Sequence, residues 1–399
     1  MIDAAVVALG AAVALGWTAL AVRLVAHSRG KSSRFLRPVA SVAPDAPAVD
    51  AIVPARNEEA HVAATVAALR AQAYPRLTIT VVDDQSTDAT AAILDRLAAE
   101  SEAGADGGAS LRVVRGSERP EGWVGKTWAV HQGVAGARAE WLWFVDADMS
   151  LHPLALATAV AEADDSGADL VSLLPGVTCA SFWQGTIASV LAQILGQLYP
   201  LDRVNDPGHP EAIAAGGFIL VRRSAYDRAG GHEACRRSII EDIQLARLVK
   251  ASGGRLSIRL GPGLAWTHFY GRFGEIWRGL RKNAYAGMDY LPHKYATGAI
   301  VALAMAWGPL LALAHGVYWG RWAAVAVGAW GVLAQAAAAA PTLVFLGLPA
   351  PFAFAMPAGI TAYVAIATSS VWHHHRGRIL WKGRTIPSAT VAGPVEAGR

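Results

Sequence analysis

The chain has 399 residues, of which 53% are hydrophobic and 17% charged, and its formal net charge at pH 7 is +4. These proportions argue against a purely soluble protein and fit a soluble domain combined with membrane segments. Basic residues cluster beside apolar stretches, a pattern that fits an anionic membrane surface better than nucleic acid. Cys179 and Cys235 are far apart and form neither a disulfide framework nor a zinc motif.

The first apolar stretch runs from about residue 4 to residue 26, long enough to span a bilayer at 1.5 Å rise per residue. A cleaved signal peptide is the alternative. No basic segment precedes the stretch, however, whereas basic residues lie near its end and beyond it: Arg23, Arg29, Lys31, Arg34 and Arg37. By the positive-inside rule, we expect an anchor in residues 1–28 that places the following domain in the cytoplasm.

Short apolar runs then alternate with amphipathic stretches. The runs that indicate buried strands are residues 49–53, 78–82, 111–114 and 141–145, and the predicted helices are residues 58–72 and 87–99. This alternation predicts a doubly wound α/β sheet. Ligands of such sheets bind at the carboxyl ends of the strands.

Three further apolar stretches, at about residues 299–318, 322–346 and 351–372, are each long enough to span a membrane. The tail that follows is basic, which favours a cytoplasmic location. Three spans after a cytoplasmic domain would leave this tail outside. Either one stretch is re-entrant or interfacial, or the positive-inside rule fails at one end.

Polar motifs follow the predicted strands. The first strand leads into V-P-A-R-N-E (residues 53–58), which alone could be an ordinary turn capped by Asn57. The second leads into V-V-D-D-Q-S-T-D (residues 81–88), in which Asp83 and Asp84 are adjacent. Two neighbouring carboxylates are costly to bury unless they bind something, such as a ribose hydroxyl, a base N–H or a metal. Helix capping does not explain this pair.

A later strand leads into the triplet D-A-D, with Asp146 and Asp148. Alternate carboxylates can hold one divalent cation from one side and leave its other positions for a diphosphate. Farther on, Glu241 and Asp242 begin an amphipathic helix, where favourable charge at a helix N-terminus is a sufficient explanation. Gly216 and Gly217 precede an apolar strand and could form a plain turn.

Together these motifs resemble the family 2 glycosyltransferases of GT-A fold. The resemblance implies that Asp242 is the general base with Glu241 beside it, and that Asp146 and Asp148 bind Mg²⁺ or Mn²⁺. It implies a nucleotide-sugar donor, for which a UDP-sugar is the expectation. The residues expected to bind this donor are Pro54, Ala55, Asn57, Glu58, Asp83, Asp84, Lys126, Asp146, Gly216 and Gly217. A nicotinamide-binding enzyme is not expected, because no G-x-G-x-x-G follows the first strand.

A narrower resemblance lies in G-W-V-G-K-T-W-A (residues 122–129), L-Y-P (198–200), N-D-P (205–207) and W-K-G-R (381–384). These segments are similar to those of the hopene-associated glycosyltransferases, relatives of ceramide glucosyltransferase. The resemblance implies a lipid acceptor such as a hopanoid. The Q-x-x-R-W motif of processive members is missing, which speaks against polymer synthesis. The apolar segment at residues 181–199 could guide a lipid acceptor at the membrane interface or be a buried core helix.

The sequence therefore predicts a multi-pass protein of the bacterial inner membrane with a cytoplasmic glycosyltransferase domain. The alternatives are a transferase acting on polyprenyl phosphate or a polysaccharide, and a non-catalytic membrane scaffold with a degenerate nucleotide-sugar domain. The expected divisions are an anchor at 1–28, a linker at 29–48, a GT-A domain at 49–270, an interfacial amphipathic helix at 271–296, membrane helices at 297–372 and a basic tail at 373–399.

Overall fold

The computed structural model describes residues 2–29, 34–41, 45–103, 109–268, 270–376, 380–381 and 384–385. The chain divides into two compact units. The helical unit comprises Met1–Ser33, Thr178–Leu198 and Phe269–Ile379, and the sheet unit comprises Arg34–Val177, Tyr199–His268 and Leu380–Arg399. The sheet unit differs from the predicted domain at residues 49–270, because it begins at Arg34 and residues 178–198 group with the helical unit.

The sheet unit contains an eight-stranded mixed sheet in the order β3-β2-β1-β4-β7-β6-β8-β5. Its strands are β1 Val49–Ala55, β2 Leu77–Asp83, β3 Ser110–Arg115, β4 Trp141–Phe144, β5 Met149–Leu151, β6 Leu170–Thr178, β7 Ile219–Arg222 and β8 Leu256–His268. The four predicted strands are confirmed and are parallel to one another. β7 is antiparallel to β4, and β6 is antiparallel to β7. A short hairpin pairs β9 (Leu380–Trp381) with β10 (Arg384–Thr385).

Both faces of the central strands are buried, and side chains alternate between two cores as the pleat requires. In β4, Trp141 and Trp143 pack into the core that contains Val53, while Leu142 and Phe144 pack into the core on the opposite face. Continuous apolar strands of this kind are typical of parallel sheets covered by helices on both sides. The covering helices are α2 Val62–Arg70, α3 Thr90–Glu102, α4 Gly125–Ala135, α5 Ala155–Ser166, α7 Leu201–Val204, α8 Arg223–Arg228, α9 Gly231–Ala234 and α10 Glu241–Ala251.

The helical unit contains α1 Ile2–Arg29, α6 Phe182–Leu198, α11 Phe273–Ala284, α12 Pro292–Trp319, α13 Trp322–Leu346 and α14 Met356–His375. Within the part of the chain that the structure describes, four segments are long and apolar enough to cross a membrane: residues 2–24, 292–319, 322–346 and 350–375. The predicted interfacial helix at 271–296 is shorter than expected, because α11 ends at Ala284 and α12 begins at Pro292.

Small residues bring α12 and α13 together in antiparallel fashion. A Cβ at Gly328 would lie 2.4 Å from the backbone nitrogen of Leu313, and one at Gly316 would lie 2.5 Å from that of Val325. Such close backbone approach through glycine is common between membrane helices. α1 is antiparallel to α12 as well. The Trp17 indole donates to the Met305 carbonyl at 2.8 Å, and Asp3 pairs with Arg321 at the other end.

α14 also runs antiparallel to α12. The hydroxyls of Thr368 and Tyr295 are 2.7 Å apart near the start of α12, and the Trp307 indole donates to Thr361 at 2.9 Å farther along. α13 and α14 therefore run in the same direction, and both end beside the start of α12. The segment Gly347–Ala355, whose last six residues form a 3₁₀ helix, returns the chain between them. Of the alternatives for the last apolar stretch, this geometry fits the re-entrant one.

α6 packs among these helices. The Gln193 side-chain amide donates to the Ala338 carbonyl of α13 at 3.2 Å, and a Cβ at Gly359 of α14 would lie 2.6 Å from the Thr186 side chain. Its remaining surface exposes Phe182, Trp183 and Leu198. The helix is thus neither a core helix of the sheet unit nor a surface helix without partners.

Candidate active site

The motifs that follow β1 and β2 lie side by side because the two strands pair in parallel, with Ala55 opposite Asp83. The Asp84 N–H donates to the Ala55 carbonyl at 2.8 Å. The Asn57 N–H donates to Ser86 at 3.1 Å, and the Asn57 side-chain oxygen accepts from the Thr87 N–H at 2.8 Å. These bonds join the two loops into one surface at the carboxyl edge of the sheet.

Two residues of this surface have left-handed backbone conformations, Asn57 at φ 50° and Gln85 at φ 55°. Such angles are uncommon for residues other than glycine and recur at functional sites. The left-handed conformation keeps Asn57 itself out of the right-handed helix α2, which begins at Val62 rather than at the predicted residue 58. Glu58 lies in the same loop, where its N–H donates to the Thr90 hydroxyl at 2.8 Å.

The Asp83 carboxylate is buried, with 5% of the residue exposed, and the protein itself bonds both of its oxygens. Oδ1 accepts from the Ser86 N–H at 3.1 Å, and Oδ2 pairs with the Arg115 guanidinium at 2.7 Å. Arg115 ends β3 and was not among the predicted site residues; its position at a strand end was the only available signal. Asp84 is buried as well, with 2% exposed.

The D-A-D loop follows β4, next to β1 in the sheet. The Thr65 hydroxyl of α2 lies 2.8 Å from the Ala147 carbonyl and 3.1 Å from the Met149 carbonyl. These contacts fix the backbone on both sides of Asp148. The Asp146 side chain remains 32% exposed, and Asp148 is partly exposed.

Lys126 lies in the first turn of α4 and contacts two carboxylates. Its Nζ is 2.7 Å from Asp146 Oδ1 and 2.7 Å from Glu241 Oε1. Burial alone would lower the pKa of Lys126, but the negative charges of Asp146, Glu241 and Asp242 raise it well above its ordinary value. Lys126 is therefore a permanent cation that links the D-A-D loop to the start of α10.

Asp242 lies in the first turn of α10, and backbone groups orient its carboxylate. Oδ2 accepts from the Gly216 N–H at 3.0 Å, and Oδ1 accepts from the Ile243 N–H at 2.8 Å. Burial, followed by the neighbouring charge of Glu241, raises the pKa of Asp242 to about 6, although Lys126 opposes the shift. A carboxylate with a raised pKa can accept a proton more readily than an ordinary aspartate.

The predicted glycine pair has a defined steric role. A Cβ at Gly216 would lie 2.9 Å from Lys126 Nζ and 3.2 Å from Asp242 Oδ2, and one at Gly217 would lie 2.6 Å from the Met149 sulfur. The Ser172 hydroxyl holds this turn, because it accepts from the Ala215 N–H at 2.9 Å. Gly216 thus makes room for two of the protein's own charged side chains, and Gly217 makes room for Met149.

Beneath this cluster lies a buried histidine that the sequence did not predict as a site residue. His232 is 3% exposed, and its Nδ1 is 3.0 Å from the Tyr226 hydroxyl. Burial, reinforced by the charge of Lys126, lowers the pKa of His232 to about 3. His232 is therefore uncharged near neutral pH. The preceding residue must be small, because a Cβ at Gly231 would lie 2.7 Å from the Tyr226 ring.

The carboxylate oxygens of the D-A-D loop are suitable ligands for a hard divalent cation. Asp146 and Asp148 supply carboxylate oxygens, which Mg²⁺ and Mn²⁺ prefer. Among the residues that the structure describes, no group of three or more histidine, cysteine, aspartate or glutamate side chains is arranged to enclose a metal ion. Two carboxylates with further ligands from phosphate and water are a common arrangement for Mg²⁺.

Comparison with known proteins finds relatives of this chain. Residues 50–230 match the family model Glycosyl transferase family 2. A 4,4'-diaponeurosporenoate glycosyltransferase of Staphylococcus aureus (strain USA300) is 26% identical over 259 residues, which are 64% of this chain and 66% of that protein. A mannosyltransferase from Pyrobaculum calidifontis, solved in complex with GDP-Man and Mn²⁺, has a TM-score of 0.54 at 21% identity and covers 92% of this chain and 99% of its own. Residues 50–230 are thus similar to the family 2 glycosyltransferases, and the sheet unit has the GT-A type of mixed α/β fold.

Proposed function

We propose that the chain is an inverting, metal-dependent glycosyltransferase that moves a sugar from a nucleotide diphosphate sugar to a lipid acceptor. The observation that carries the proposal is the position of Asp242. Two backbone N–H groups hold its carboxylate beside Lys126, which in turn contacts the Asp146 carboxylate. A candidate general base, a lysine cation and a candidate metal ligand thus lie together at the edge of the sheet.

The reaction follows from these positions. Asp242 would accept the proton of the acceptor hydroxyl as that oxygen attacks the anomeric carbon, a contribution of about 10²–10⁴-fold in rate. Lys126 would stabilise the negative charge that develops on the leaving diphosphate. Asp146 and Asp148 would hold Mg²⁺ or Mn²⁺, which neutralises the same charge when bound. One base acting without a covalent nucleophile predicts a single displacement and inversion at the anomeric carbon.

The surface of β1 and β2 is the proposed nucleoside-binding region. Pro54, Ala55, Asn57 and Glu58 border it on one side, and the buried pair Asp83 and Asp84 borders it on the other. Because Arg115 and Ser86 bond both oxygens of Asp83, we infer that Asp83 shapes the loop and that ligand contacts fall to its neighbours. A structural relative contains GDP-Man, and the resemblance found in the sequence favours a UDP-sugar.

Two observations support a lipid acceptor. The helical unit contains four segments that could cross a membrane, and the curated relative is named for a carotenoid acceptor, 4,4'-diaponeurosporenoate. The motif at residues 122–129 favours a hopanoid in this chain. The basic residues after α1 favour a cytoplasmic location for the sheet unit at the bacterial inner membrane.

Nucleotide release by the purified full-length chain tests this proposal. UDP- and GDP-sugars would be tested with and without Mn²⁺ or Mg²⁺ and with a hopanoid-containing lipid extract. We expect release that requires both metal and lipid and that falls by about 10²–10⁴-fold in Asp242→Asn. Asp165→Asn, which alters an exposed carboxylate of α5, is the matched control and should retain full activity.

Each other outcome has a distinct meaning. Release that depends on polyprenyl phosphate instead of the hopanoid extract would keep the transferase and replace the acceptor. No release with any donor, together with no metal-dependent nucleotide binding, would reject the enzyme and favour a membrane scaffold with an inactive domain.

A further inference from the structure

Lys126 and a divalent cation would compete for the same carboxylate. The ammonium group lies 2.7 Å from Asp146 Oδ1, within ion-pair distance of a carboxylate that the proposed metal site includes. A carboxylate oxygen in contact with an ammonium group binds a second cation poorly, because the two positive charges repel each other at short range. Lys126 therefore neutralises part of the negative charge that the Asp146 carboxylate would offer to a metal ion.

Glu241 holds the other side of the same ammonium group. Its Oε1 is 2.7 Å from Lys126 Nζ, and its side chain is only 8% exposed. A buried carboxylate at this distance keeps Lys126 within the cluster when it leaves Asp146, because an unpaired buried charge is costly. The lysine side chain is flexible, and the absence of a side chain at Gly216 leaves space beside Nζ.

We propose that Lys126 occupies the metal side of Asp146 in the donor-free protein, and that the donor's diphosphate draws it away and so opens the site to the cation. This inference rests on the proposed function, because it assumes that Asp146 binds a metal and that a diphosphate lies within reach of Lys126. Glu241 is a positioning residue in this scheme: it retains Lys126 between the D-A-D loop and the diphosphate.

The consequence is cooperative binding. If the nucleotide removes Lys126 from Asp146, the nucleotide raises the affinity for the cation, and the cation must raise the affinity for the nucleotide by the same factor. Binding of the cation alone is then weak, and the complete site forms only when the donor is present. Free metal would not occupy the site ahead of the donor.

Mn²⁺ binding to the purified full-length chain, measured by electron paramagnetic resonance without any acceptor, tests the proposal. For the wild type we expect UDP or GDP to tighten Mn²⁺ binding by about tenfold or more. Lys126→Met should bind Mn²⁺ alone about tenfold more tightly than the wild type and should lose the effect of the nucleotide. Arg96→Met removes one exposed positive charge from α3 and should behave as the wild type.

The variant Glu241→Gln distinguishes an effect of removing Lys126 from Asp146 from an effect of any change in the charge of the cluster. This variant keeps Lys126 beside Asp146, so Mn²⁺ binding in the absence of nucleotide should not become tighter. Circular dichroism and the thermal unfolding midpoint would establish that each variant is folded, and Lys126→Gln replaces Lys126→Met if the latter is not. Equal Mn²⁺ affinity in the wild type and Lys126→Met would overturn the proposal while leaving the transferase intact. Absence of Mn²⁺ binding with and without nucleotide would overturn both this proposal and metal dependence.

Discussion

Asp242 combines burial, fixed orientation and a negative neighbour, and each of these affects its protonation. Burial and the charge of Glu241 raise the pKa of its carboxyl group to about 6, while Lys126 lowers it in opposition. A general base works only when it is ionised. A raised pKa makes the carboxylate more basic, but it also means that the carboxylate becomes protonated, and therefore inactive, at a pH closer to neutral. The rate should therefore decline on the acid side of the profile at an unusually high pH for an aspartate.

We predict that kcat/KM falls as the pH drops through about 6, because kcat/KM reports groups of the free enzyme. Removing the charge of Glu241 in Glu241→Gln eliminates a cause that raises the pKa of Asp242, so the acid limb should move to lower pH. The measurement is kcat/KM for nucleotide release across pH in both proteins. An acid limb that stays at the same pH in Glu241→Gln would show that Glu241 does not influence the base.

The structure brings several of the predicted site residues together, but the sequence did not predict the contacts between them. Asp146, Lys126 and Asp242 follow strands or begin helices in recognisable motifs, and the structure brings them together. The ion pairs that Lys126 makes with Glu241 and Arg115 makes with Asp83 were not predicted. Such pairs join elements that are far apart in the chain, and no local pattern identifies which of the many charged residues will meet.

At the scale of elements, the surface formed by the loops after β1 and β2 depends on backbone conformations that the sequence did not reveal. Periodicity predicted the parallel strands correctly, because apolar runs identify buried strands. It also extended the first helix to residue 58, whereas α2 begins at Val62. The left-handed conformation of Asn57 arises from its bonds to the neighbouring loop, which is a tertiary effect.

We predict that Asn57→Ala destabilises the sheet unit by about 1–2 kcal/mol, since alanine is unfavourable at positive φ and cannot accept the Thr87 N–H bond. The thermal unfolding midpoint should fall by several degrees, about 2–4 °C per kcal/mol for a domain of this size. Nucleotide affinity should fall with it. Gln85→Gly is the matched variant, because glycine accepts φ 55° without strain, and its midpoint should not fall below that of the wild type. If the unfolding midpoint fell in Gln85→Gly but not in Asn57→Ala, this explanation would be contradicted.

At the scale of the whole molecule, composition predicted a soluble domain combined with membrane segments, and the structure contains a sheet unit and a unit of long apolar helices. The number of crossings could not be obtained in this way, because length and hydropathy do not distinguish a spanning helix from a re-entrant one. The direction of α14 provides the missing information. α14 runs parallel to α13, and both end beside the start of α12. Three alternating crossings by α12, α13 and α14 are incompatible with that arrangement.

We therefore predict that the end of α14 and the sheet unit are exposed on the same side of the membrane. The measurement is labelling by a membrane-impermeant maleimide in a variant whose native cysteines, Cys179 and Cys235, have been replaced. Tyr318→Cys lies at the far end of α12 and should react in intact cells, whereas Arg376→Cys should react only after the cells are permeabilised. Arg96→Cys on α3 reports the side of the sheet unit and should follow Arg376→Cys. Labelling of Arg376→Cys in intact cells, with Arg96→Cys protected, would place the end of α14 outside the cell. This result would establish three full crossings after the sheet unit and reject the re-entrant arrangement. The basic tail would then be an exception to the positive-inside rule.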